Sequence, residues 1–151
     1  MLNTTRVFLV FLLLFAILML RNFHTVEVTG DSMSPTLENG THVLVSKAYW
    51  LVGPVKTNDI VVIRDPSGSN ELYIKRVYGI GGDKIDWYNA PENWSLAKGT
   101  YEVPNQHFYV LGDNRPVSED SRTWGSVRAN DIIGKVIVVQ SALSAAAKES
   151  E

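Results

Sequence analysis

The sequence predicts a mainly β domain standing behind a single apolar helix. Three observations predict it. Residues 7–20, VFLVFLLLFAILML, are unbroken hydrocarbon between Arg6 and Arg21. After them, short β-branched and aromatic runs alternate with turn residues. No later segment keeps an apolar period near 3.6 residues, so helix beyond the first should be scarce.

The apolar run comes first. Its 14 residues make about 21 Å of helix, against a hydrocarbon thickness of roughly 30 Å. Residues 2–23 reach about 33 Å if Arg6 and Arg21 carry their long stems to the headgroups. The following LRNFHTVEV is bulky or charged where a secretory cleavage site needs small residues, which favours a retained anchor over a removed leader. The amino terminus and Arg6 slightly outweigh Arg21, and the next basic residue is distant Lys47. The amino terminus is therefore expected inside the cell and the rest of the chain outside. The expected divisions are an anchor over 1–23, a β-rich domain over 24–141 and a small, polar tail over 142–151.

Strands are expected in order at 25–29 (TVEVT), 42–50 (HVLVSKAYW), 59–65 (DIVVIRD), 71–80 (ELYIKRVYGI), 84–88 (KIDWY), 107–113 (HFYVLGD) and 131–140 (DIIGKVIVVQ). Between them lie Asn39-Gly40, Gly53-Pro54, Pro66-Ser67-Gly68, Gly81-Gly82-Asp83 and Gly99, all turn chemistry. No internal repeat is visible. The whole is an anchored, mostly antiparallel β domain.

Composition narrows the function. The chain has 151 residues and no cysteine, which suits one core of ordinary size and removes disulfides and thiolate sites. It carries 14 basic and 16 acidic side chains. Arg6 and Arg21 belong to the anchor segment, so the domain behind it is acidic and lacks the basic face that nucleic acid requires. Its three histidines, His24, His42 and His107, include no pair at ligand spacing, so no metal or other cofactor is expected.

The stretch Gly30–Leu37, GDSMSPTL, places Ser32 and Ser34 shortly after the anchor. A serine needs a base to become a nucleophile. A Ser32–His107–Asp113 triad stays open, because triads are recognised by geometry. A neutral, buried lysine is the alternative base. Of seven lysines, Lys47, Lys75 and Lys135 lie within apolar strands. In LYIKRVYGI the period of two puts Lys75 with Tyr73 and Val77, and Arg76 with Leu72, Ile74 and Tyr78. Arg76 cannot act as a base. Lys75 and Lys135 are nearly equal on these grounds. In LGDNRPVSEDSRTWGSV (111–127), Asp113, Arg115, Glu119, Asp120 and Arg122 mix charges over a short span. This reads either as a solvated loop or as a rigid polar loop supporting active residues.

Taken together, the anchor, SMSPTL (32–37), NDIVVI (58–63), YIKRVYGIGGD (73–83) and GDNRPVSEDSRTWG (112–125) resemble the bacterial type I signal peptidases. These are membrane-anchored serine proteases that remove signal peptides from exported proteins. The resemblance covers nearly the whole chain in order. It implies a coiled antiparallel β domain in which Ser32 is the nucleophile, Lys75 the general base and Ser118 the hydrogen-bond partner of that lysine. It further implies an Asp120–Arg122 ion pair stiffening the loop, with Gly112, Asp113 and Asn114 forming the adjoining wall and Arg115 completing the signature. Val26, Val28 and Ile74, with Gly30 and Met33 beside them, are implied to receive small side chains at the first and third positions before the cut.

Two departures stand out. Gly30 replaces the serine that helps some members stabilise the oxyanion, and Gly81 replaces a proline before glycine-aspartate. The implied partners are signal peptides and the lipid bilayer, and the implied location is the bacterial cell membrane. Trp50 and Leu51 in AYWLVGPV are expected at the lipid interface. The competing readings are a self-cleaving serine–lysine β domain and an inert, membrane-tethered peptide-binding module.

Overall fold

The structure, a computed structural model, describes residues 4–69 and 71–139. Helix α1 (Thr4–Asn22) is apolar on every side and buries no residue. Its 19 residues span about 28 Å, close to a bilayer's hydrocarbon thickness of roughly 30 Å. Among the described residues it is the one helix long and apolar enough to cross a membrane. Arg21 sits in its last turn, where a cation complements the helix dipole.

Strand β1 (Phe23–Glu27) begins at the very next residue. It pairs antiparallel with β2 (His42–Ser46), from Phe23 opposite Ser46 to Glu27 opposite His42. The strand expected at 25–29 therefore lies two residues earlier. It ends because Val28 closes a turn: its N–H donates to Thr41 O and its carbonyl accepts from Gly40 N, both at 2.8 Å. β2 was expected to run to residue 50 but stops at Ser46, whose Oγ accepts from Ala48 N at 3.0 Å. Lys47 N then donates to Asn22 O at 2.9 Å, and Tyr49–Val52 forms a single helical turn, α2. That turn consequently sits beside the carboxyl end of α1.

The remaining strands and α-helices are β3 (Ile60–Arg64), β4 (Leu72–Ile80), β5 (Lys84–Ile85), β6 (Tyr101–Glu102), β7 (His107–Leu111), α3 (Ser121–Trp124), β8 (Val127–Arg128) and β9 (Ile132–Val139). The main sheet has seven strands in the order β1-β2-β9-β3-β4-β7-β8, and every pairing is antiparallel. β5 and β6 form a separate ribbon. The strand expected at 84–88 shortens to Lys84–Ile85 because Asp86 folds the chain back, its Oδ1 accepting from Asn89 N at 3.2 Å. The two-residue strands β6 and β8 were not expected. The tail reading for 142–151 lies outside the described residues.

β3 explains how one sheet builds two cores. Val61, Val62 and Ile63 are all fully buried, so both faces of this strand are covered. Val62 joins Val28, Met33, Leu37, Val43 and Ile74 on one side. Val61 and Ile63 join Val77 and Val110 on the other. The unbroken apolar run in the sequence reflects this double coverage. Burying Met33 and Leu37 in the first core pins the turn that carries Ser32.

Candidate active site

The GDSMSPTL segment folds as a turn hung on the core. Leu37 N donates to Met33 O at 2.9 Å and Ser34 N to Asp31 O at 3.1 Å. Met33 and Leu37 are each 1% exposed, so the turn cannot roll without opening the core. Gly30 enters it with φ +84°, a left-handed conformation that glycine adopts without steric cost, and donates its N–H to Asn39 Oδ1 at 2.9 Å. Ser32 is thereby held at the turn's inner side, while Ser34 serves the turn through its backbone.

Lys75 reaches the same point from the middle of β4. Its Nζ lies 2.7 Å from Ser32 Oγ, and the residue is only 2% exposed. Tyr73 and Val77 share its face and pack into the second core, as the period of two predicts. Burial drives the Lys75 amine below the ordinary lysine range, against the opposing pull of the Asp120 and Glu119 carboxylates. An uncharged amine can accept the hydroxyl proton of Ser32, so the pair can perform nucleophilic attack on a carbonyl.

The other candidate bases stand elsewhere. Lys47 is exposed. Lys135 forms a 2.8 Å ion pair with Asp59. The His107 alternative is not assembled: Nδ1 of His107 meets Asn105 O at 2.9 Å. Asp113 instead receives Arg76 Nε and Nη2 at 2.8 and 2.7 Å. Burial raises the Asp113 carboxyl, but the hydrogen bonds from Arg76 and Thr36 prevail and hold it below the usual carboxylate range.

The 112–122 loop closes the site from behind. Asn114 N donates to Ser32 O at 2.9 Å, a direct backbone link between the loop and the Ser32 turn. Asp120, fully buried, accepts from Gly112 N at 3.0 Å and from Arg122 Nε and Nη2, each at 2.9 Å. Burial alone would raise the Asp120 carboxyl, but these donors keep it ionised below its ordinary value. Arg122 Nη2 also reaches Arg115 O at 2.8 Å, so one ion pair ties both ends of the loop. Ser118 Oγ is buried against Gly112 and near Asp120, whose carboxyl it helps to hold low, and among the described residues it does not bond Lys75.

Gly112 itself is required by close approach. A Cβ there would lie 2.1 Å from Ser118 Oγ, 2.5 Å from Ser118 Cβ and 2.6 Å from Ser32 O. Asn89 is a contributor that sequence reasoning missed. Its carbonyl accepts from Tyr109 OH and its Oδ1 from Arg115 Nη1, joining the segment between β5 and β6 to β7 and to the loop. An asparagine in a polar turn gives no sequence signal for that role.

In front of Ser32 and Lys75 lies a groove of about 290 Å³. Val26, Val28 and Met33 line it from the β1 side, and Leu72, Tyr73 and Ile74 from β4. Of the expected binding residues, Gly30 alone falls outside its lining.

A serine hydroxyl against a buried amine, at the foot of a groove between two strands, has the layout of a serine hydrolase with a lysine base. The chain belongs to the signal peptidase family, peptidase S26, whose model matches residues 1–91 and 88–140. Signal peptidase I of Bacillus caldolyticus is 36% identical over 142 residues, 76% of this chain and 77% of that one. Signal peptidase IB of Staphylococcus aureus is 31% identical over 141 residues, covering 72% and 73%. A crystal structure of a signal peptidase I from Enterococcus faecalis aligns with TM-score 0.44 and 22% identity, over 56% of this chain and 97% of that one.

Proposed function

We propose that this signal peptidase removes signal peptides with Ser32 as nucleophile and Lys75 as general base. The 2.7 Å contact between Ser32 Oγ and the buried Lys75 Nζ carries the reading. Neutral Lys75 takes the hydroxyl proton as Ser32 attacks the scissile carbonyl, and the resulting ammonium protonates the leaving amine. Water then attacks the acyl-enzyme with Lys75 again the base. The oxyanion falls to the Ser32 N–H, which meets no backbone acceptor among the described residues. Gly112, Asp113 and Asn114 form the supporting wall, and the Asp120–Arg122 pair fixes Ser118 beside it.

The substrate binds by strand addition at the open edge of β1, with Tyr73–Lys75 across the groove. Its small first and third side chains before the cut project toward Val26, Val28 and Ile74, which leave only shallow space. Met33 forms the floor, and Gly30 keeps the turn in register. α1 spans the cell membrane with its amino terminus in the cytoplasm, and the β domain works on the far side. The test compares wild type with Ser32→Ala, Lys75→Ala and Lys75→Arg on a purified preprotein. All three variants should yield no shortened product, because arginine fills the space but stays charged. Turnover by Lys75→Arg at the wild-type rate would overturn the assignment.

A further inference from the structure

Among the described residues β1 is an edge strand, bonded only to β2. Val28 directs its N–H and carbonyl inward, to Thr41 O and Gly40 N. Backbone polar groups alternate sides along an antiparallel strand, so Glu27 and Thr29 present theirs to the open edge that borders the groove. Side chains alternate as well. Val26 and Val28 pack with the first core, which places Glu27 on the opposite face. Glu27 lines the groove and is exposed. Among the described residues it forms no ion pair, and its cross-strand neighbour is exposed His42. The other side chain there that can carry a charge near neutral pH is Lys75, which is uncharged in its working form. Among the described residues, the groove therefore holds one carboxylate with no ion-pair partner.

A peptide added to this edge obeys the same period of two. If its first and third residues before the cut face Val26 and Val28, the second residue stands on the Glu27 face as a cross-strand neighbour. We propose that Glu27 is a specificity determinant for that second residue, favouring lysine or arginine there and disfavouring aspartate or glutamate. The inference rests on the strand-addition reading above.

The experiment uses the full chain in detergent and three otherwise identical peptides. Each has alanine at the first and third positions before the cut, and lysine, glutamine or glutamate at the second. Wild type should prefer lysine over glutamine by about two- to fivefold in kcat/KM, with glutamate lower again by a similar factor, the range of exposed charge pairs. Glu27→Gln should flatten the ranking and Glu27→Lys should invert it. Raising salt to about 1 M, where the screening length is near 3 Å, should compress the wild-type differences. An unchanged ranking in Glu27→Lys, with the peptides still cut, overturns the inference while leaving the Ser32–Lys75 reading intact. Failure of wild type to cut any of the peptides would overturn both.

Discussion

Gly112→Ala tests how tightly the Ser32 turn and the loop are fitted. The added methyl would stand 2.1 Å from Ser118 Oγ and 2.6 Å from Ser32 O, where ordinary contact begins near 3.4 Å. Relieving the first contact alone takes a retreat of about 1.3 Å. Ser118 can yield part of that by rotating, but the Ser32 carbonyl is backbone, held by Asn114 N at 2.9 Å and by buried Met33 next in sequence. Overpacking of this kind costs about 1–3 kcal/mol of stability. A shift of order 1 Å at a catalytic group lowers the rate by about a hundredfold. The assay is kcat/KM on a short soluble peptide, beside urea unfolding of the same sample. Adding Ser118→Gly removes two of the three contacts and should recover stability, while the contact with Ser32 O and the activity loss persist. A Gly112→Ala enzyme with wild-type kcat/KM and an unmoved unfolding midpoint would refute the fit described here.

Four further outcomes follow from the same geometry. Because burial lowers the Lys75 pKa, kcat/KM should rise with pH through that lowered value. The folding penalty is complete below it and vanishes above the unfolded value near 10.4, so Lys75→Met should stabilise the protein at neutral pH and gain nothing at strongly alkaline pH. Arg122→Ala leaves the fully buried Asp120 charge without its guanidinium, and chemical denaturation should show a loss of about 3–5 kcal/mol. Trp50 and Leu51 are 68% and 57% exposed on α2, beside the end of α1. Replacing both by serine should slow preprotein cleavage in vesicles and leave cleavage of a short soluble peptide untouched.

Much of the fold was legible because alternation and turn residues are local signals. Lys75 fell correctly between Tyr73 and Val77, and the double burial of β3 was written in IVVI. What local signals could not do was choose between Lys75 and Lys135. Val61 pairs with Lys75 on one side and Lys135 on the other, so both lysines occupy one row of the sheet. Only the long-range arrival of Ser32 at one and Asp59 at the other separates them, and the resemblance rather than the periodicity anticipated that choice. Strand ends were missed where side chains or turns captured the backbone, as Ser46 does for Ala48 N. β6 and β8 are too short for a period to show. α3 did leave a readable trace: Asp120 caps it by accepting from Arg122 N at 3.2 Å, and Gly125 follows its last turn.

The direct passage from α1 into β1 has a mechanical consequence. No slack residues separate Asn22 from Phe23, and the Lys47–Asn22 backbone bond clamps the joint. With α1 in the bilayer as proposed, the Ser32 turn is carried on a short stem, its height above the lipid set by a few residues of extended chain. On that reading the mount acts as a depth gauge: a junction presented too near the bilayer or too far out should miss the blade, whatever its sequence. Inserting a flexible spacer at 22–23 would free the gauge and broaden the range of depths that are cut.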